Sequence, residues 1–245
     1  LRGTATVRDG AQAYIASSLS FTQNGTSANC GHDTVFSADG GYVAVLGDLV
    51  VKGHADRSRI ASANSGTIAF NRNALYDVSG TNTVLALDNG EVAFRALLNG
   101  VDQNKGLNFG TVAASAHMAV EVKGTNSLLN VFGNFAASAA TATDAPVEFR
   151  FVVPADGYVH APIVVTNGTT TLNSTLVIRA DANAYLDAGG SQPIPIVQGD
   201  PTKTFTADLD ALNGNAVISP NGRLFLEGAT LYLRASPSFT ILIIR

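Results

Sequence analysis

The chain has 245 residues, of which 46% are hydrophobic and 14% are charged, and its formal net charge at pH 7 is −4. Its apolar content is too high and its net charge too low for an intrinsically disordered protein. A net negative charge argues against a nucleic-acid partner, because such proteins contact phosphates with lysine and arginine. No apolar run approaches the roughly 20 residues of a transmembrane helix. We therefore expect a folded domain with no transmembrane segment.

Short β-like segments separated by Gly, Asn and Asp dominate the chain. Residues 42–46 and 49–51 flank a Gly-Asp turn, and residues 147–153 alternate apolar with polar side chains over most of their length. A period of two predicts strands with one apolar face. Turn-forming pairs recur along the chain, among them Asn24-Gly25, Asn89-Gly90, Asn99-Gly100, Asn167-Gly168 and Asn221-Gly222. This pattern is typical of an all-β fold.

Two segments are candidates for short helices. Residues 91–98 end at Asn99-Gly100, a pair that often terminates a helix, and residues 135–142 are rich in alanine. Val92 and Phe94 also alternate as they would in a strand, and neither segment has a convincing N-cap. The prediction therefore stays all-β.

Strand–turn–strand pieces recur at a nearly regular interval. They begin near Thr67, Glu91, His117, Val147 and Thr175, at spacings of 24, 26, 30 and 28 residues. One turn of a stacked solenoid uses about this many residues, and its inward Val, Ile, Leu and Ala side chains form a continuous core. The spacing thus predicts a parallel β-helix.

The pattern changes after residue 190. Pro193 and Pro195 interrupt a strand-like run, and proline belongs at the edges of sheets. Short strand-like segments with tight turns follow. We predict a β-solenoid body over residues 1–190 and an antiparallel β cap or assembly segment over residues 191–245, since the ends of a solenoid need capping. A β-sandwich or jelly roll is the alternative fold, because turns every 8–12 residues or so also suit it.

Residues 164–178, 193–199, 223–226 and 231–233 carry a Thr- and Gly-rich rung, a strand that reads Pro-Ile-Pro-Ile-Val-Gln-Gly, and short closing strands. From about residue 162 onward the chain resembles the passenger ends of extracellular bacterial autotransporter-like β-solenoid proteins. The resemblance implies a right-handed parallel β-helix at the cell surface, often with a role in adhesion or in a surface layer.

No motif predicts a catalytic, cofactor or metal site. Cys30 and His32 lie close in sequence, but a small buried thiol in a turn is the commoner arrangement. His54 and Asp56 could bind a metal only if both pointed outward from one strand. Residues 208–215 are rich in Asp and Asn but lack the ligand spacing of a calcium loop.

Paired carboxylates would indicate a glycosidase or lyase. The spacing alone brings no two of the candidates together, which are Asp77, Asp88, Glu91, Asp102, Glu121 and Glu148. Glu148 and Arg150 share one face of a strand, and we predict a surface ion pair of little energetic value.

The C-terminal segment 239–245 is apolar and rich in β-branched residues. Such a strand either packs in its own core or is donated to the sheet of a neighbouring copy. In the second case the assembly residues are Phe239, Ile241, Leu242, Ile243 and Ile244.

We therefore expect an extracellular or cell-surface, non-enzymatic structural or adhesive protein, without a cofactor. Its partners would be copies of itself, in a homo-oligomer, polymer or filament, or surface glycans. One alternative is a polysaccharide-active β-helix lyase or hydrolase. The other is a viral coat protein with a jelly-roll fold.

Overall fold

The structure, a computed structural model, describes residues 3–22, 33–53, 57–71, 74–78, 83–94, 107–111, 117–137 and 147–237. Within these ranges the chain forms 24 strands, β1 to β24, and two short helices, α1 and α2. The strands form three large, mainly parallel sheets. The all-β prediction is confirmed for this part of the chain.

Sheet 1 consists of eight parallel strands, with an apolar inner face and a mixed outer face. In spatial order they are β1 (Thr4–Arg8), β4 (Val35–Asp39), β7 (Arg59–Ala63), β10 (Thr83–Asp88), β13 (Met118–Lys123), β16 (Val147–Val152), β19 (Val177–Asp181) and β22 (Val217–Ser219).

Sheet 2 consists of nine strands, and its last two form a hairpin. In spatial order they are β2 (Gln12–Ile15), β5 (Tyr42–Val45), β8 (Thr67–Phe70), β11 (Glu91–Phe94), β14 (Leu128–Phe132), β17 (Ile163–Thr166), β20 (Ile194–Gln198), β24 (Thr230–Ala235) and β23 (Gly222–Glu227). The pairs β20–β24 and β24–β23 are antiparallel.

Sheet 3 consists of seven parallel strands. In spatial order they are β3 (Leu19–Thr22), β6 (Leu49–Gly53), β9 (Ala74–Val78), β12 (Leu107–Thr111), β15 (Phe135–Ala137), β18 (Thr170–Leu172) and β21 (Phe205–Ala207). The helices are α1 (Asn183–Asp187), before β20, and α2 (Leu209–Asn215), before β22.

The chain visits the three sheets in turn, so each strand from β1 to β19 pairs in parallel with the strand three places later. This order gives seven stacked triplets, a solenoid-like arrangement. Parallel pairing runs past residue 190, because β20, β21 and β22 pair in parallel with β17, β18 and β19. Parallel neighbours favour the predicted solenoid over the sandwich or jelly roll, whose strands are antiparallel.

The two candidate helices are wrong where the structure describes them, because residues 91–94 form β11 and residues 135–137 form β15. Strand β11 pairs with β8 on one side and with β14 on the other. Val92 and Phe94 are fully buried, so the ladders on both sides outweigh a weak local helix signal. Residues 95–100 and 138–142 lie outside the described residues.

The core is one continuous column of stacked apolar side chains. In sheet 1 one inward row, in register from β4 to β19, consists of Phe36, Ile60, Leu85, Val120, Phe149 and Ile178. In sheet 2 the rings of Phe70 and Phe94 stack with their centroids 5.0 Å apart. Burying each such side chain contributes about 1.5–3 kcal/mol. A single rung could not bury these side chains alone, so the stacking of rungs stabilises the fold.

The turns from sheet 1 to sheet 2 stack as closely as the strands do. The position after each strand is left-handed in five successive turns, at Asp9, Gly40, Asn64, Asn89 and Gly124. Glycine follows in three of these turns, and a Cβ at Gly90 would lie 2.5 Å from the carbonyl carbon of Ser62. These turns place the ends of the sheet 1 strands in one row, in which Arg8, Asp39, Asp88 and Lys123 are charged.

Candidate functional site

The outer face of sheet 1 brings charged side chains from several strands into one group. We call it the charged cluster, and its members are Arg59, His117, Glu121, Glu148, Arg150 and Arg179. Register explains the grouping, because Glu121 lies opposite Arg150 and Arg150 lies opposite Arg179 on successive strands. Residues at i and i+2 share a face of a strand, which adds Glu148 beside Arg150.

Arg150 is the centre of the charged cluster. Its Nη1 lies 3.0 Å from Glu121 Oε1 and its Nη2 lies 2.7 Å from Glu148 Oε2. Arg179 Nε donates to the other Glu148 oxygen at 2.9 Å, and Arg59 Nη1 donates to Glu121 Oε2 at 3.2 Å. The two carboxylates thus each accept from two arginines and link strands β7, β13, β16 and β19.

Glu148 is the most buried member, with 8% of its side chain exposed. Burial acts to raise the pKa of this carboxyl, but hydrogen bonds from Arg150, Arg179 and His117 and the charge of Arg150 outweigh it and lower the pKa. Burial acts to lower the pKa of Arg150, but its hydrogen bonds and charge interactions with Glu148 and Glu121 outweigh it and raise the pKa. Glu148 is therefore an ionised, acceptor-only group at neutral pH, unsuited to donating a proton.

His117 lies at the edge of the charged cluster. Its Nε2 is 3.2 Å from both Glu148 Oε2 and Arg150 Nη2. Its Nδ1 is buried and has no hydrogen-bond partner among the described residues. The ring can donate to Glu148 or accept from Arg150, depending on its tautomer.

A shallow depression of about 170 Å³ lies beside the charged cluster. We call it the sheet 1 depression, and its lining includes Arg59, Ala61, Ala86, Asp88, Glu121 and Lys123. Ala61 and Ala86 lie opposite each other, and the charged residues surround them. The depression is smaller than the roughly 300–1,000 Å³ of typical small-molecule pockets. It suits contact with part of a larger polar ligand.

The predicted pairing of Glu148 with Arg150 is confirmed, but Glu148 is buried, so the pair is not a simple surface ion pair. Of the candidate carboxylates, the structure brings Glu121 and Glu148 together on Arg150. Asp88 lines the sheet 1 depression. Glu91 lies in sheet 2, where it accepts from Asn130 at 3.3 Å. Asp77 falls in β9, and Asp102 lies outside the described residues.

Sequence reasoning missed Arg179 and Arg59 as members of this site. A signal exists for the first of them, since Glu121, Arg150 and Arg179 follow one another at equal intervals of 29 residues. Arg59 reaches Glu121 diagonally across β10, where Val84 lies opposite Arg59 and the small Ala86 lies opposite Glu121. A small side chain on the strand between them leaves room for that contact.

Several other candidates can be placed or lie outside the described residues. Cys30, His32, His54 and Asp56 lie outside them. So do all the assembly candidates, Phe239, Ile241, Leu242, Ile243 and Ile244. Asp208 caps α2 by accepting from Ala211 N at 3.1 Å, so this Asp-rich segment follows helix-cap chemistry. Within the described ranges, no three His, Cys, Asp or Glu side chains are placed to hold a metal ion.

Neither described helix has the length and apolar character needed to cross a membrane. In comparisons with known proteins, no protein-family model, curated protein or solved structure matches this chain.

Proposed function

We propose that this chain is an extracellular or cell-surface β-solenoid with a structural or adhesive role and no catalytic chemistry of its own. The observation that carries the proposal is the unbroken parallel stacking from β1 to β22. Eight strands spaced by about 4.8 Å give sheet 1 a face roughly 34 Å long. Long, stiff faces of this kind suit contact with polymers or with other copies of the chain.

Right-handed winding is part of this proposal. Connections between parallel strands of one sheet are right-handed in about 98% of cases, because a twisted strand packs back on its sheet only in that sense. The resemblance of the C-terminal third to autotransporter-like passengers supports the same hand and a location at the cell surface.

The charged cluster supports a structural role for the face of sheet 1. Its two carboxylates are each held by two arginines, and Glu148 stays ionised. Groups that satisfy one another in this way join neighbouring rungs.

Self-assembly through the C-terminal segment can be tested by removing residues 239–245. We expect the full chain to form oligomers or filaments as its concentration rises, and the shortened chain to stay monomeric with an unchanged circular dichroism spectrum. A donated strand supplies both backbone hydrogen bonds and apolar contacts, so its loss removes the contact between neighbouring copies. Light scattering after size exclusion and electron microscopy measure the outcome.

A second variant keeps the chain length and replaces Phe239, Ile241 and Ile243 by serine, so it separates the effect of the apolar side chains from that of a shorter chain. It should fail to assemble as the shortened chain does. Normal assembly of either variant would show that assembly does not depend on a donated C-terminal strand.

A polysaccharide-active enzyme is the second candidate, and the sheet 1 depression, which Asp88 and Glu121 line, favours it. If this function is correct, the wild-type chain cleaves an acidic or neutral polysaccharide, and Glu121→Gln and Asp88→Asn reduce the rate by about 100-fold or more. Reducing-end and ultraviolet assays over a polysaccharide panel, with and without calcium, measure cleavage. Failure to cleave any polymer of the panel would count against the enzyme.

A further inference from the structure

The C-terminal hairpin presents a second polar surface, far along the chain from the charged cluster. Its outward side chains are Arg223 and Phe225 on β23 and Tyr232 and Arg234 on β24, which we call the hairpin platform. Leu224, Leu231 and Leu233 alternate with them and are buried on the inner side. The platform residues therefore share one exposed face of the hairpin.

The two arginines of the hairpin platform face each other. Arg223 lies directly opposite Arg234 in the antiparallel pair, and both are exposed. Neither forms an ion pair with an acidic side chain among the described residues. Like charges directly opposite destabilise a strand pair, and a bound anion would relieve the repulsion. Guanidinium groups bind carboxylates in a planar, two-pronged geometry.

Aromatic rings lie beside these arginines. Phe225 and Tyr232 stack with centroids 5.3 Å apart and planes 15° apart, and the Arg234 guanidinium carbon lies 5.0 Å from the centre of the Phe225 ring. Pro195 lies opposite Tyr232 on the next strand and extends this apolar row. Because the rings stack on each other and Arg234 lies over Phe225, these half-buried rings offer their outer edges as a rigid apolar surface next to two cations, which C–H groups of a sugar can contact.

The side chain of Asn213 occupies the middle of the β23 edge, which disfavours the addition of a peptide strand there. The side chain of Asn213, in α2, accepts from Leu224 N at 2.7 Å and donates to Leu224 O at 3.0 Å. These bonds use the outward backbone groups that a peptide strand would need. A ligand at the hairpin therefore lies on the platform itself.

We propose that the hairpin platform is a binding site for acidic polysaccharide. A uronate carboxylate pairs with Arg223 and Arg234, and the neighbouring sugar ring contacts the outer edges of Phe225 and Tyr232. The proposal rests on the adhesive part of the proposed function and gives it a ligand class.

Binding of the full chain to polygalacturonate, measured by affinity electrophoresis and calorimetry, tests the site. Dextran is the neutral control polymer and polyglutamate is the acidic non-saccharide control. We expect the double variant Arg223→Gln/Arg234→Gln to bind polygalacturonate at least about tenfold more weakly, because it loses charge-assisted hydrogen bonds. Phe225→Leu keeps the apolar bulk and should weaken binding by about 2–10-fold.

The double variant Arg8→Gln/Lys203→Gln is the matched control, since it removes the same charge from exposed sites elsewhere. It should leave binding within about twofold of wild type, because distant exposed charges are screened. Equal losses in the control and platform variants would overturn the site, as would binding to dextran or polyglutamate as strong as to polygalacturonate.

The same experiment separates the site from the wider function. If the wild-type chain binds polygalacturonate and the platform variants bind equally well, the hairpin platform is not the binding site, and the adhesive function is still supported. If the wild-type chain binds none of the polymers, the platform and the adhesive role both fail. The assembly assay on residues 239–245 then still tests the structural role.

Discussion

Gly90, in the turn between β10 and β11, shows how closely successive rungs approach one another. A Cβ at this position would lie 2.5 Å from both the carbonyl carbon and the side-chain oxygen of Ser62, near the end of β7 in the preceding rung. Ser62 cannot yield easily, because its hydroxyl donates to the carbonyl oxygen of Gly66 at 2.6 Å. The requirement for glycine here comes from the close approach of this turn to the end of β7 in the preceding rung.

We therefore expect Gly90→Ala to lower the free energy of unfolding by about 1–3 kcal/mol, as overpacking does. Gly214→Ala is the matched control, because no atom lies within 4 Å of a Cβ at that helical position. Alanine there should be neutral or stabilising by up to about 1 kcal/mol. Urea unfolding followed by circular dichroism measures both variants, and equal effects of the two would contradict the close packing of turns.

At the scale of strands, the sequence predicted the alternation of apolar and polar residues well. It did not predict which sheet each recurring segment joins. Thr67 and Glu91 begin strands of sheet 2, whereas Val147 begins a strand of sheet 1 and His117 directly precedes one. The interval of 26 residues between Glu91 and His117 therefore steps from one sheet to another. Alternation is a local property, but the sheet that a strand joins depends on partners in other rungs.

The same distinction governs how much of the candidate site could be predicted. Glu148 and Arg150 are two residues apart on one strand, so their pairing follows from local geometry alone. Arg179 and Glu121 join them only through the register of β13, β16 and β19. The hairpin platform likewise depends on the pairing of β23 with β24, and turn signals alone do not set which residues lie opposite.

For the whole molecule, the charged cluster joins neighbouring strands along the face of sheet 1. In stacked-repeat proteins, stability is roughly a sum of terms within rungs and terms between neighbouring rungs. Glu148 contacts Arg179 on the next strand of sheet 1, and Arg150 contacts Glu121 on the previous one. These contacts belong to the coupling between rungs, and they depend on an ionised Glu148.

The free energy of unfolding of the chain should therefore fall in acid. The pKa of Glu148 is below its ordinary value of 4.5 in the folded chain, so its contribution is present above that value. The contribution is lost as the pH falls through the lowered pKa, because the unfolded chain then binds the proton more readily. We expect Glu148→Gln to lower the free energy of unfolding by about 1–3 kcal/mol near pH 7, and this difference from wild type to shrink as the pH falls through the lowered pKa.

Urea unfolding of wild type and Glu148→Gln across this pH range measures the difference, with Glu227→Gln as control. Glu227 is an exposed acidic residue on β23, outside the charged cluster, so its replacement removes the same charge without touching the arginines. The control should follow the wild-type curve. If Glu148→Gln also follows it at every pH, the ionised carboxylate does not couple the rungs, and the core column alone holds the solenoid together.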